Sequence, residues 1–308
     1  MRVRRRDSRL CLIGCMLVAL LAGCSSSSRE LLDQAEASWR KGRYYDAIQA
    51  NEDLYSRERY GKYAAGALLK IGNIYYLNLR QVKQAIEFYD KLTREFPNSP
   101  ETLEARRQLA AIYVNEVIDL DQAIAQYDRL LEAKNLADRP DILFRRADAY
   151  FKKEDYDRAL RELRSLEDSG ITGRLADQVS LKIGSIYQIQ KKFEEALEPF
   201  RKAIDASSPE YRRRAILEVA ETYENLFEFD KAIETVRMLD KTPENEAYVQ
   251  REVERMNARR KQVEKGGALE RDRRGSGSSG ARKGGKVATT AKMPGHEIGA
   301  RRLFSATL

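Results

Sequence analysis

The 308 residues are 34% charged and 42% hydrophobic, a balance that suits a large helical domain and is too polar for a protein with several membrane spans. The formal net charge of +8 arises at the two ends of the chain. Residues 1–23 carry five arginines and one aspartate, whereas residues 266–308 carry nine basic and three acidic residues. Residues 24–265 therefore have a net charge of −2, which gives no electrostatic reason to bind nucleic acid.

The N-terminus has the composition of a secretory signal. A basic start at residues 1–9 precedes an apolar run at 10–21, which is too short for a stable transmembrane helix. The run ends in Leu21-Ala22-Gly23-Cys24, which resembles the lipobox of bacterial lipoprotein precursors. The resemblance implies cleavage before Cys24 and acylation of Cys24, and the attached acyl chains would hold the protein on a membrane. We predict a lipoprotein signal peptide over 1–23 and a lipidated Cys24 followed by a serine-rich tether over 24–29.

The residue after the cysteine indicates the membrane to which a lipoprotein is sorted. In the lipoprotein family, Ser25 at this position implies the outer membrane, with the body facing the periplasm. An ordinary cleaved signal and an uncleaved anchor are the alternatives. Because Cys11 and Cys15 lie inside the signal, the mature chain would retain only the acylated Cys24. Neither a disulfide nor a cysteine nucleophile is then expected.

A two-helix pattern recurs six times along the body of the chain. Each copy has a small residue on its first helix, helix A, and an alanine on its second helix, helix B. The helix A small residues are Ala35, Gly72, Ala110, Ala147, Gly184 and Ala220. The helix B alanines are Ala47, Ala85, Ala123, Ala159, Ala196 and Ala232. The alanines are 38, 38, 36, 37 and 36 residues apart, and self-similarity at a nearly fixed period indicates a repeat array rather than a generic helical bundle.

Larger side chains occupy further columns of the pattern. Three residues after the helix A small residues stand Ser38, Tyr75, Tyr113, Tyr150, Tyr187 and Tyr223. Four residues after the helix B alanines stand Asn51, Tyr89, Tyr127, Leu163, Phe200 and Val236. Small residues let two helices cross closely, and the large ones fill the space around the crossing. Copies two and three have one extra residue between the helices, which predicts longer turns. Ser38 and Asn51 depart from their columns, as is typical of a terminal repeat.

These columns resemble those of the tetratricopeptide repeat. The resemblance implies an all-α fold, a right-handed α-α superhelix of about six repeats with disordered termini. We predict six repeats over 30–243, a capping helix over 244–265 and a basic disordered tail over 266–308. The tail is glycine- and serine-rich at 275–280 and lacks hydrophobic periodicity. It is interpreted as a passive flexible end or as a segment that contacts anionic lipid or acidic polymers of the envelope.

In this repeat class, the positions just after the two helix A columns face a concave groove. From these positions we predict a partner-binding groove made of Trp39, Asn73, Tyr76, Asp148, Phe151, Gln188, Glu221 and Glu224. Its first copies offer aromatic anchors, and its last copies offer carboxylates that select cations. The competing interpretation is that the aromatic residues pack beneath neighbouring helices.

Catalytic and cofactor motifs are lacking in the body. The single histidine, His296, lies in the tail, so a Ser–His–Asp or Cys–His site is not expected there. His- or Cys-based metal spacing and a glycine-rich phosphate loop are also missing. We therefore predict no enzymatic activity, no cofactor, no metal site and no small-molecule substrate.

A lipobox joined to such repeats resembles the outer-membrane lipoproteins of the BamD type, which support β-barrel assembly, and the Tol–Pal-associated repeat protein. The turn at 95–100 followed by Glu104-Ala105-Arg106 carries this resemblance. It implies a lipid-anchored scaffold that binds envelope proteins. BamD-type proteins have five repeats and lack a basic tail, whereas type IV pilus pilotin lipoproteins have six repeats and are the first alternative. A peptidoglycan-acting protein on an α-superhelix is the alternative from a different class.

Overall fold

The computed structural model describes residues 28–134, 136–205 and 208–276, with side chains described as far as Gly266. Over these ranges the chain forms thirteen α-helices and no β-strand. The predicted signal peptide, Cys24 and residues 277–308 of the predicted tail lie outside the described residues. None of the described helices is both long enough and apolar enough to cross a membrane.

The helices follow one another in antiparallel pairs, and each pair is one copy of the sequence pattern. Helix α1 covers residues 28–40. The others are α2 (Tyr44–Arg57), α3 (Ala64–Asn73), α4 (Val82–Glu95), α5 (Pro100–Ile112), α6 (Leu120–Leu131), α7 (Arg139–Lys152), α8 (Tyr156–Asp168), α9 (Arg174–Ile189), α10 (Phe193–Ile204), α11 (Pro209–Asn225), α12 (Phe229–Val236) and α13 (Pro243–Ser276). Odd-numbered helices α1–α11 are the A helices, and even-numbered helices α2–α12 are the B helices. Repeat one is thus α1–α2, and repeat six is α11–α12.

The predicted small-residue columns form the centre of each repeat. All six helix B alanines are fully buried, and the helix A small residues are buried as well. At Gly72 an added Cβ would lie 2.5 Å from the ring of Tyr89, and at Gly184 it would lie 2.5 Å from the ring of Phe200. Because real Cβ atoms do not approach so closely, only glycine fits above these rings without a shift. The packing argument made from the sequence is confirmed at these two crossings.

The turn between helices A and B is the same in all six repeats. One residue in each turn has a positive φ, and helix B begins two residues later. These residues are Gly42, Arg80, Ile118, Glu154, Lys191 and Phe227. Copies two and three were predicted to have longer turns, and this is wrong. Their extra residue is absorbed in a π-helical turn at the end of helix A, at Ile74–Asn78 and Tyr113–Val117, as π-helical turns usually accommodate single insertions.

The chain divides into two compact units, Met1–Met256 and Asn257–Leu308. In the first unit, the start of α13 follows repeat six, and Met256 is buried in the hydrophobic cluster that α11 and α12 form. Tyr248, Val249 and Val253 pack against the same cluster. In the second unit, the described residues continue α13 to Ser276, eleven residues beyond the predicted end at Lys265. Gly266 and Gly267, which set the predicted boundary, cost only about 1 kcal/mol each within a helix and do not end it.

A candidate protein-binding face on the A helices

Two polar side chains predicted to face the groove, Asp148 and Gln188, bond to the next A helix along the array. The Asp148 carboxylate accepts from Lys182 Nζ at 2.7 Å, joining α7 to α9. Gln188 Nε2 donates to Thr222 Oγ1 at 2.8 Å, joining α9 to α11. We call this series of contacts the helix A ladder. Its members hold neighbouring repeats together, so their polar groups are already occupied.

The electrostatics of Asp148 fit this structural role. Burial of the carboxyl opposes ionisation, but the ammonium groups of Lys182 and Lys152 outweigh it and lower the pKa of Asp148. Lys182 Nζ also lies 4.3 Å from the ring centroid of Phe151, a cation–π distance. Asp148, Lys182 and Phe151 therefore form one local cluster between repeats four and five.

Glu224 lies at the last step of the ladder, and its prediction as an accessible groove carboxylate is wrong. Its side chain is 2% exposed, and its two oxygens accept from Arg255 Nη1 and Nη2 at 2.8 and 2.7 Å. Arg255 belongs to α13, so the capping helix covers this end of the face. Proximity of the two carboxylates of Glu224 and Glu252 raises the pKa of Arg255 further above its usual range. Glu221, one turn earlier on α11, is exposed.

The predicted aromatic anchors differ in exposure. Tyr76 is half-buried and packs against the core cluster that spans repeats one to three, and burial raises the pKa of its hydroxyl. Phe151 is also half-buried, beside Tyr156 at a ring distance of 5.7 Å. For these two residues the structure agrees with the competing interpretation, in which they pack beneath neighbouring helices. Trp39 differs, because half of its surface is exposed.

Trp39 borders a cleft of about 390 Å³ between α1 and α3. Its indole Nε1 donates to Asn78 Oδ1 at 3.2 Å, which fixes the ring at the edge of the cleft. Glu36 lies on the same wall and accepts from Lys70 Nζ at 2.6 Å, and Arg40 approaches the other Glu36 oxygen at 3.4 Å. The hydrogen bond from Lys70 lowers the pKa of Glu36. Asn73 also lines the cleft, while its Oδ1 accepts from the Tyr89 hydroxyl at 2.7 Å.

Comparison with known proteins bears on the fold. Two sequence families described as tetratricopeptide repeat match the chain, one over residues 119–173 and 144–211 and the other over 66–99. A solved tetratricopeptide repeat protein from Parabacteroides merdae superposes with a TM-score of 0.52 at 17% identity, covering 77% of this chain and 89% of that one. The chain folds as tetratricopeptide repeats.

Other solved structures match the chain with lower TM-scores. MamA from Desulfovibrio magneticus, residues 41 to the end, has a TM-score of 0.44 at 15% identity, covering 57% of this chain and 92% of that one. Among curated proteins, none matches the sequence.

The tetratricopeptide array also contains a buried carboxyl group that the sequence columns did not identify. Glu218 on α11 is 9% exposed, and burial, with a further contribution from Glu221, raises its pKa to about 6. Arg214 at 3.8 Å only partly offsets this effect. Glu218 stands two residues before the helix A column residue Ala220, where the repeat pattern makes no prediction, so only the tertiary structure identifies it.

Within the described part of the tetratricopeptide array, no cluster of three or more His, Cys, Asp or Glu side chains is arranged to hold a metal ion. Of the predicted groove residues, Trp39 at the first repeat and Glu221 at the sixth are exposed.

Proposed function

We propose that this protein is a lipid-anchored scaffold that faces the periplasm and binds protein partners of the cell envelope through its A helices. The observation that carries the proposal is the exposed Trp39 beside a cleft of about 390 Å³. Large aromatic side chains dominate the binding energy of protein interfaces when a partner buries them. A cleft of this size is also within the range of common ligand pockets. No catalytic step forms part of the proposal.

The lipobox-like Leu21-Ala22-Gly23-Cys24 supports the anchor and the outer-membrane location. The resemblance to BamD-type and Tol–Pal-associated lipoproteins supports a role in outer-membrane protein assembly or envelope organisation. Six helix pairs, one more than BamD-type proteins have, favour a type IV pilus pilotin-like role as the second candidate.

Attachment is tested by Cys24→Ala in the native host. Without the acylated thiol, we expect uncleaved precursor of higher mass and loss of labelling by a radioactive or alkyne-bearing fatty acid. Ser26→Ala in the same tether is the matched control and should be processed normally. Normal cleavage and unchanged outer-membrane sedimentation of Cys24→Ala would disprove the lipid anchor.

The binding face is tested by partner recovery from the native envelope, using chemical crosslinking and mass spectrometry. Trp39→Ala should lose at least about 80% of the crosslinked partner, because hot-spot aromatics often contribute 2 kcal/mol or more. Tyr60→Ala removes another exposed aromatic, in the turn between α2 and α3, and should recover the partner normally. Equal recovery from both variants would place the binding surface elsewhere. Release of dye from labelled peptidoglycan by the purified protein would instead favour the peptidoglycan-acting class.

A further inference from the structure

Repeat one lacks a side chain that every other repeat provides. Four residues after the helix B alanine, repeats two to six place a buried apolar or aromatic residue: Tyr89, Tyr127, Leu163, Phe200 and Val236. Repeat one has Asn51 at this position. The cleft beside Trp39 lies above Asn51, next to the helix A small residue Ala35. It therefore corresponds to the volume that a large side chain fills in the other repeats.

Repeat two shows how a phenol fits such a space. The Tyr89 ring lies directly against Gly72, and its hydroxyl donates to Asn73 Oδ1 at 2.7 Å. The residues of repeat one that correspond to Gly72 and Asn73 are Ala35 and Glu36, and both line the cleft. The small residue and the hydrogen-bond acceptor are thus present, whereas the aromatic ring is missing.

The side chain of Asn51 lies beneath the cleft and is almost completely covered. Its Nδ2 donates to the Ala47 carbonyl at 2.8 Å, which fixes the orientation of the amide. Its Oδ1 is buried and has no hydrogen-bonding partner among the described residues, and the whole side chain is 1% exposed. A buried acceptor without a donor is unfavourable. Repeat one therefore holds a small, poorly satisfied side chain at the position where the other repeats hold a large one.

We infer that this cleft is a subsite for a tyrosine side chain of a partner protein, with its ring against Ala35 and Trp39 and its hydroxyl donating to the Glu36 carboxylate, as the Tyr89 hydroxyl donates to Asn73 in repeat two. Tyrosine combines an apolar body with a polar tip, which matches the apolar wall of the cleft and the carboxylate of Glu36. An ammonium group suits the cleft less well, because Lys70 and Arg40 already surround the single carboxylate of Glu36. The inference rests on the proposed function, and it names the partner residue that the first repeat recognises.

The subsite can be tested without knowing the partner. Trp39 is the only tryptophan in the chain, so its indole N–H gives a single NMR signal next to the cleft. The ¹⁵N-labelled full chain is titrated with N-acetyl-tyrosinamide and, in parallel, with N-acetyl-phenylalaninamide. We expect a saturable shift with the tyrosine probe and about fivefold weaker binding of the phenylalanine probe, which lacks the donor. Equal affinities, or no shift with either probe, would overturn the inference.

Two variants fill the cleft from within. Asn51→Leu follows repeat four, where Ala147 accompanies a buried Leu163, and Asn51→Tyr follows repeat three, where Ala110 accompanies a buried Tyr127. Either variant, folded by circular dichroism, should abolish the shift caused by the tyrosine probe. Gln49→Leu adds the same side chain to the exposed side of α2 and should leave the titration unchanged. Undiminished probe binding by a folded Asn51→Leu protein would overturn the inference. Recovery of crosslinked partners is measured separately from probe binding. A protein that recovers its partners but does not bind the tyrosine probe would therefore retain the proposed function and lack the subsite.

Discussion

The first and last repeats are both ends of the array, yet their A helices present different surfaces. At the first repeat, Trp39 is half exposed and a cleft lies above Asn51. At the last repeat, Glu224 is 2% exposed because α13 lies over α11 and contributes Arg255. The same sequence column thus leads to an accessible residue at one end and a buried ion pair at the other.

This difference shows what decides accessibility on a repeat array. Each A helix is covered in part by the A helix of the next repeat, as Gln188 is by Thr222. Within the described residues, repeat six is followed by α13, which takes the place of a further A helix. At the first repeat the space is left by the missing large side chain at position 51. The exposure of a side chain on an A helix therefore depends on the residues that pack over it. The variants below change these contacts at the last and the first repeat.

The largest effect on the free energy of unfolding is expected at repeat six, the end of the array that α13 covers. Arg255→Ala would leave the Glu224 carboxylate buried without its bidentate partner, and unfolding should become easier by about 3 kcal/mol. Arg251→Ala removes an exposed arginine from the same helix and should change stability by less than about 0.5 kcal/mol. Urea denaturation followed by circular dichroism measures both variants.

A second variant separates the buried charge from the packing of α13. Glu224→Met combined with Arg255→Met removes both charges while keeping volume, and should recover most of the stability that Arg255→Ala loses. If the double variant is as unstable as Arg255→Ala, the loss comes from contacts of α13 other than the ion pair.

The next effect concerns Glu218 in the last repeat, whose pKa is raised from 4.5 to about 6 by burial. The folded protein then holds this proton more tightly than the unfolded chain does. Its contribution to stability is therefore greatest below pH 4.5 and is lost as the pH rises through 6, by about 2 kcal/mol. Glu218→Gln, which cannot ionise, should lack this fall and be more stable than wild type at pH 7.

Paired measurements isolate that contribution from other titrating groups. The difference in unfolding free energy between wild type and Glu218→Gln is determined from pH 4 to 7.5. Glu210→Gln, an exposed position on the same helix, gives the background. A difference that does not change with pH would mean that Glu218 ionises normally in the folded protein.

Sequence reasoning was most successful where a contact lies within one repeat. The six helix B alanines were predicted as the crossing points, and all six are fully buried. Asn51 was recognised as a departure from its column, although the cleft above it was not foreseen. The Glu224–Arg255 pair could not be predicted, because it joins a repeat to a helix outside the periodic pattern. The π-helical turns were missed for another reason, since an extra residue can enter either a helix or a turn.

The smallest effect returns to the first repeat, whose turn between helices A and B has Gly42 at the residue with positive φ. Repeat three has Ile118 at the same place, with φ of 59° and a side chain that is 66% exposed. A left-handed conformation costs a β-branched residue about 1–2 kcal/mol, while glycine adopts it freely but loses more backbone entropy on folding. Ile118→Gly should therefore stabilise the protein by about 1 kcal/mol, and Gly42→Ala should destabilise it by a similar amount. No atom lies within 4 Å of a Cβ built at Gly42, so the second change measures backbone strain without a clash. Unfolding midpoints in urea that move the opposite way for either variant would mean that the six turns are not equivalent.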